Sequence, residues 1–359
     1  MQHISRWFHT FVDYVRTHRT RTIVVSGVLL IGLAGGIAYG LSLQSVPTLE
    51  IAHVTPKPKP KPVIYYSPLT GLKVKNETAT KQPVTAIMIE NSPDARPQSG
   101  MKDAGVVYEA IAEGGITRFL TIHQEDKPTL IGPVRSVRAY FVDWLAPYNT
   151  SVAHVGGSAG ALKEVRNGNY RDIDQFFNTG TYWRSSDRYA PHNVYTNFKK
   201  LDALNKAKGY NTSKFTGFAR TDGKPAAKPT ASSVTINFSS SLFNTKYQYD
   251  KKSNSYLRFM GGVPHKDREK GQITPKVVIA MHVNERTVFE DGYRERITTT
   301  GSGKATIFQN GVAKNVTWKK KSRFSQLTFV DTNGKTVPLI RGQTWIAAVP
   351  NDGGGVSWK

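Results

Sequence analysis

The residues able to do chemistry crowd between Arg96 and Asn193, in five short motifs. These are ARPQSG (Ala95–Gly100), YEAIAEGGITRF (Tyr108–Phe119), GPVRSVR (Gly132–Arg138), HVGGSAG (His154–Gly160) and APHN (Ala190–Asn193). Several of their polar residues fall at the ends of apolar runs, where ligands meet an α/β sheet. Anion binding is one chemistry they offer. Arg118 follows a Gly-Gly turn, and Arg135 and Arg138 lie three apart, so on a helix they share one face. Ser136 is placed to cap that helix, whose N-terminus would offer free N–H groups. Guanidinium forks suit phosphate, and Gly156-Gly157 could add backbone N–H groups. The same arginines have carboxylates within reach in sequence: Glu109, Glu113 and Asp143.

Other chemistries compete. Gly156-Gly157-Ser158-Ala159-Gly160 matches G-x-S-x-G between a strand and a helix, with Asp174 and His192 following in the order of an α/β hydrolase. The short interval from Ser158 to His192 leaves little room for the intervening strands of such a sheet. His123, His154, His192, His265 and His282 form no H-E-x-x-H pattern. His265 and Asp267 could share a ligand in a loop, whereas His282 and Glu285 fall on opposite faces of a strand. Neither a metal nor a cofactor is expected. Tyr182, Trp183 and Arg184, beside Asp187, Arg188 and Tyr189, offer either a sugar-stacking surface or a packed core under a loop.

These residues need elements to position them. Val84–Glu90, Gly105–Ala112, Thr117–His123 and Ser151–Val155 read as strands, and Ser136–Leu145 and Ala159–Val165 carry helical spacing. A helix over Asn197–Lys208 stops at Gly209. Strand and helix signals mixed in this way predict an α/β domain over 65–217. Residues 218–233, rich in Lys, Pro, Ala, Gly and Ser, read as a linker. From Val234 the chain turns to strands: Val234–Phe238, Lys246–Tyr249, Tyr256–Phe259, Lys276–Val283 and Trp345–Val349. Asn310-Gly311 and Asn333-Gly334 each separate two strand-like runs and predict hairpins. Residues 234–359 are therefore expected to be a mainly antiparallel β domain.

The ends are set by composition. Thr22–Leu43 is almost continuously apolar, with Arg16, His18, Arg19 and Arg21 before it and Glu50 the next charge after it. Such a run spans a bilayer, and cationic flanks stay in the cytoplasm. The reading is a cytoplasmic stub over 1–21, an anchor over 22–43 and a spacer over 44–64 whose TPKPKPKP favours polyproline II. Trp7, Phe8, Phe11 and Tyr14 give the stub loosely helical, interfacial spacing. The 359 residues contain no cysteine, which excludes disulfides, thiolate chemistry and lipid attachment through a Cys. Of the formal charge of +23, residues 1–61 carry +5 and the remainder +18. Outside a membrane that points to anionic envelope polymers or lipid head groups and away from nucleic acid, although solubility alone also accounts for it.

ARPQSG, YEAIAEGGITRF, IGPVRSVR, HVGGS and APHN, in this order, resemble the bacterial YerB-like family, whose function is unknown. GVPHKD (Gly262–Asp267) and NGKTVPLIRGQTWIAAVP (Asn333–Pro350) are similar to its second domain. The resemblance covers nearly all of residues 65–350 and implies a two-domain envelope protein. Members are typically lipoproteins tethered by a Cys, a role that Thr22–Leu43 would take here. The family brings no activity and therefore no catalytic residue. It implies only site positions: Arg96, Glu109, Glu113, Arg118, Arg135, Arg138, His154, Ser158, His192 and Asn193. Its HVGGS-like stretch often lacks a glycine at the position of Gly160, which argues against a nucleophile elbow.

The expectation is a single-pass protein of the bacterial cytoplasmic membrane, N-terminus inside and both domains outside. Its outer part would bind an anionic or glycan envelope polymer through Arg118, Arg135, Arg138 and His192. Two alternatives stand. One is an enzyme on such polymers, transferring a phosphoryl-linked group or, through Ser158, hydrolysing. Topology and basic site loosely resemble those of the LytR–CpsA–Psr phosphotransferases, by analogy only, since their acidic and arginine motifs are not placed in this chain. The other is a scaffold that binds envelope proteins of a wall or division complex.

Overall fold

The computed structural model describes residues 2–42, 62–290 and 292–359, so all of the TPKPKPKP spacer but Pro62 lies outside the described residues. The chain divides into two units, Met1–Pro62 and Val63–Lys359. In the first, helix α1 (Gln2–Thr17) exposes Trp7, Phe8, Phe11 and Tyr14. Helix α2 (Arg19–Ser42) has a mean hydropathy of 1.7 over Arg19–Ile37, with none of that stretch buried within the protein. Its 24 residues at a helical rise reach about 36 Å, longer than the roughly 30 Å hydrocarbon core of a bilayer. Length and composition thus suit a membrane crossing.

The second unit is built on one ten-stranded mixed sheet. Its strands are β1 (Thr85–Glu90), β2 (Val106–Glu113), β3 (Ile116–His123), β4 (Ser151–Ala153) and β5 (Arg171–Asp172), then β10 (Val277–Val283), β13 (Gly301–Gln309), β14 (Val312–Lys320), β15 (Thr328–Val330) and β16 (Thr344–Pro350). Their order is β15-β14-β13-β10-β16-β2-β3-β1-β4-β5. Between these in sequence run β6 (Ser233–Asn237), β7 (Thr245–Asp250), β8 (Ser255–Met260) and β9 (Val263–Pro264). They join the C-terminal β17 (Gly355–Trp358) in a five-stranded antiparallel sheet. A separate hairpin pairs β11 (Glu285–Phe289) with β12 (Tyr293–Ile297). The remaining helices over seven residues or more are α3 (Ala139–Leu145), α4 (Ala159–Val165) and α5 (Phe198–Ala207).

Both sheet faces are covered, so the central strands are buried along their whole length, as β1 and β16 are. Alternation sends Val106, Tyr108, Leu120, Ile346 and Ala348 into a core closed by Phe141 and Trp144 of α3. Val107, Phe119, Trp345 and Ala347 enter the opposite core, closed by Val234, Ile236, Tyr247 and Tyr256 of the five-stranded sheet and by Phe198 and Leu201 of α5. The layers are helix, mixed sheet and antiparallel sheet.

Strand β16 pairs in parallel with β2 on one side and with β10 on the other. The two expected halves therefore share one sheet. Residues 218–233, expected to be a linker, are packed: Phe218 and Ala231 are buried, and Arg220–Thr221 pairs with Leu339–Ile340. The Lys/Pro/Ala/Gly composition hides those few anchoring side chains. At the Asn310-Gly311 turn, φ values of 58° and 78° join β13 to β14 in a hairpin. At Asn333-Gly334 only a Val330–Thr336 bridge forms, because Leu339–Ile340 pairs with Arg220–Thr221 instead.

A buried ion pair lies between the two sheets. Glu109, on the β2 face that carries Val107, accepts from Arg258 of β8 at 3.0 and 2.9 Å, both side chains being fully buried. Trp345 Nε1 and Thr117 Oγ1 donate to the same carboxylate at 2.9 and 3.1 Å. Burial pushes the Glu109 carboxyl up, and these donors work against it. The guanidinium stacks on Trp345 with its centre 4.1 Å from the ring, donates to Tyr247 Oη, and donates through Nε to His265 Nδ1 at 2.9 Å. Burial, then Arg258, push His265 well below its usual value. The neutral ring thus has its proton on Nε2, which donates to Gln98 Oε1 at 2.9 Å.

Removing one partner of such a pair strands the other charge. Arg258→Met should lower the unfolding free energy by about 3–5 kcal/mol in urea melts. The double variant Glu109→Gln/Arg258→Met should regain part of that loss. Wild-type stability in Arg258→Met would overturn this account.

Candidate functional site

The C-terminal end of β1 is where the motif segments meet. Glu90 N donates to Pro133 O, Arg135 N to Met88 O, and Val134 N to Val194 O. These backbone bonds lay the Gly132–Arg138 segment between β1 and the segment that carries His192. As a result, Glu90 Oε1 lies 3.0 Å from His192 Nδ1 and 3.2 Å from Arg135 Nε. Ser92 Oγ is 3.1 Å from the same ring nitrogen. The Glu90 side chain is 5% exposed, against 26% for Arg135 and 23% for His192. Its second oxygen has no hydrogen-bond partner among the described residues.

A carboxylate beside Nδ1 favours the tautomer with the proton there. Nε2 then faces outward, 3.9 Å from Asp94 Oδ2, and Asp94 is 81% exposed. An oriented imidazole next to a guanidinium about a quarter exposed can donate or accept a hydrogen bond to a ligand, or hold an anion. Neither Glu90 nor Ser92 stands out from the sequence alone. The available signal was a carboxylate closing an otherwise apolar strand, TAIMIE.

A second ionic knot uses up the other arginines. Glu113 accepts from Arg118 Nη2 at 2.9 Å and from Arg138 Nη2 and Nε at 2.5 and 3.0 Å. Both arginines are buried; Arg118 Nη1 donates to Ser136 O and Arg138 Nη1 to Val137 O, while Arg118 Nε has no hydrogen-bond partner among the described residues. Burial raises the Glu113 carboxyl, but Arg118 and Arg138 prevail and hold it at about 2, against 4.5 for the free group. The expected shared helix face does not form. Helix α3 starts at Ala139, leaving Arg135 and Ser136 before it. Bonds from Ser136 Oγ to Val155 O and from Val137 N to Gly156 O hold this stretch extended.

The other predicted positions serve local structure. Glu109 belongs to the core network. Arg96 donates to Asn91 Oδ1 and O and to Leu242 O, and stacks on Phe243. Asn193 donates to the carbonyls of Ser185 and Arg188 and accepts from Arg184, which clamps its loop. His154 is fully buried between Gly156 O at 2.7 Å and Asp172 Oδ1 at 2.9 Å. Ser158 stands at the N-cap of α4 without a side-chain cap bond. Asp174 accepts from Arg166 and from the amides of Gly156 and Phe176, while His192 faces Glu90 and Ser92. The serine triad is therefore not assembled. Asp267 accepts from the amides of Lys102, Glu269 and Lys270, while His265 is held in the core. Tyr182 is buried with its hydroxyl on Ile173 O, and Tyr189 is 91% exposed.

A carboxyl held below its unfolded value stabilises the fold above pH 4.5, and that contribution is lost as pH falls toward about 2. The stability gap between wild type and Glu113→Gln should thus narrow over that window in urea melts; a gap independent of pH would refute the assignment. A fluorophosphonate probe should leave Ser158 unlabelled.

Comparison with known proteins supports one family. Residues 69–211 match the model for the N-terminal domain of the protein of unknown function DUF3048, and residues 234–346 match its C-terminal domain. YerB of Bacillus subtilis (strain 168), named as a candidate lipoprotein, is 34% identical over 290 residues, covering 79% of this chain and 86% of that protein. The crystal structure of Bacillus subtilis YerB superposes with a TM-score of 0.72 at 32% identity, over 82% of this chain and 99% of the other. With both domain models matched in order and the fold shared, the chain belongs to the YerB-like, DUF3048 family.

Proposed function

We propose that this protein is held in the cytoplasmic membrane by Arg19–Ser42, exposes Val63–Lys359 outside the cell, and binds an anionic envelope polymer at the Arg135–His192 face. The observation that carries this reading is the Glu90 cluster, where a buried carboxylate orients a partly exposed imidazole beside a partly exposed guanidinium. The +18 charge on the residues after 61 supports it by drawing polyanions to the surface. Arg118 and Arg138 are committed to Glu113, which narrows the contact to Arg135 and His192. Basic residues before α2 and the lipoprotein relative support the orientation and location. A second reading, acid–base catalysis on the same polymer, draws on the outward-facing Nε2 of His192.

Binding of purified wall polymer should weaken at least about tenfold between low and moderate salt, as phosphate contacts do. Arg135→Ala/His192→Ala, assayed at a temperature at which its melting curve shows it folded, should lose most of it. Absence of binding, or binding untouched by the double variant, would sink the site. Location has its own test, because the chain lacks cysteine. Lys252→Cys, on an exposed turn, should react with a membrane-impermeant maleimide in intact cells; reaction only after lysis would reverse the orientation.

A further inference from the structure

Two adjoining clefts border the turn between α4 and β5. They measure about 300 and 340 Å³ and share Gly168, Tyr170 and Tyr210. Each alone reaches the lower end of the range of small-ligand pockets, roughly 300–1,000 Å³. The fold assembles this groove from three separate segments. Tyr170 follows the turn at Gly168 (φ 92°), Tyr210 follows the helix stop at Gly209 (φ 77°), and Phe177 closes a short 3-10 turn capped by Asp174.

Phe177 is 72% exposed. Tyr170 and Tyr210 are half-buried along the same groove, and one face of the Tyr170 ring already stacks on Phe324 at 6.0 Å. The Arg166 guanidinium lies 5.0 Å from the Phe177 ring centre, and that of Arg171 lies 5.4 Å from Tyr210. Arg166 is engaged with Asp174 and Asp172, and Arg171 with the carbonyls of Asn149 and Thr212, while Lys208 lines the same groove and is exposed. Apart from Lys208, the groove therefore offers ring faces and the amides of Asn149 and Asn169, with that of Asn178 already donating to Asp174 O. Aromatic faces stack on the C–H faces of a pyranose, and planar amides donate to and accept from its hydroxyls.

We infer that this groove is a subsite for a neutral hexopyranose oligosaccharide. None of its lining residues belongs to the Glu90 cluster. The inference rests on the envelope-polymer reading only for where such a ligand would be met.

The test is titration calorimetry of the full chain in a sugar-free detergent with three neutral tetrasaccharides: cellotetraose, chitotetraose and maltotetraose. At least one should bind, with little dependence on salt. Phe177→Ala, at an exposed ring, should weaken that binding about tenfold, and Tyr210→Leu should do likewise. Arg135→Ala should leave it unchanged, so failure of the anion site and failure of this groove are read separately. No binding by any of the three, or affinity unaltered in both aromatic variants with wild-type melting curves, would overturn the inference.

Discussion

The buried pair between Glu109 and Arg258 is the interaction on which the rest of the unit Val63–Lys359 depends. It joins β2 of the central sheet to β8 of the antiparallel sheet, across the core that Trp345 of β16 also enters. Three segments far apart in sequence must arrive in register to satisfy it. A lone charge in that core would be costly, whereas the pair with Trp345, Thr117 and Tyr247 leaves few unmet donors or acceptors. Such a network discriminates against misregistered packing more than it adds net stability. It adds a side-chain tie between the two family-matched regions, whose strands β2 and β16 already pair in one sheet.

The network also reaches the surface site. From Arg258 the bonds run through neutral His265 to Gln98, whose amide donates to Glu90 O at 3.0 Å and to Asn91 Oδ1 at 3.0 Å. The backbone that carries the Glu90 carboxylate is thereby tied to the core. Rigid support of this kind holds an imidazole and a guanidinium in one geometry rather than many. Arg96, which donates to the same Asn91 and reaches Leu242, braces the outer side of the segment.

The arginines divide by burial. Arg118, Arg138 and Arg258 are sequestered with carboxylates. Desolvation makes those contacts strong in the sense that losing one partner is expensive. Arg135 shares its carboxylate with His192 and keeps about a quarter of its side chain in solvent. Net charge alone could not separate these roles, since a pI near 10 counts all of them alike.

What the sequence determined by itself is whatever depends on neighbours a few residues away. The apolar run became α2, Asn197 and Gly209 bounded α5, and Asn310-Gly311 turned a hairpin; family membership was also legible in the order of the motifs. Local periodicity, caps and turn residues carry those outcomes. Only the tertiary structure decided who partners whom. Glu109 finds Arg258 across 149 positions, and Ser92 finds His192 across 100. Residues 218–233 became a packed strap, and Arg135 parted from Arg138. Pairing of charges follows sheet register and the order in which strands lie side by side, and neither leaves a periodic trace in the chain.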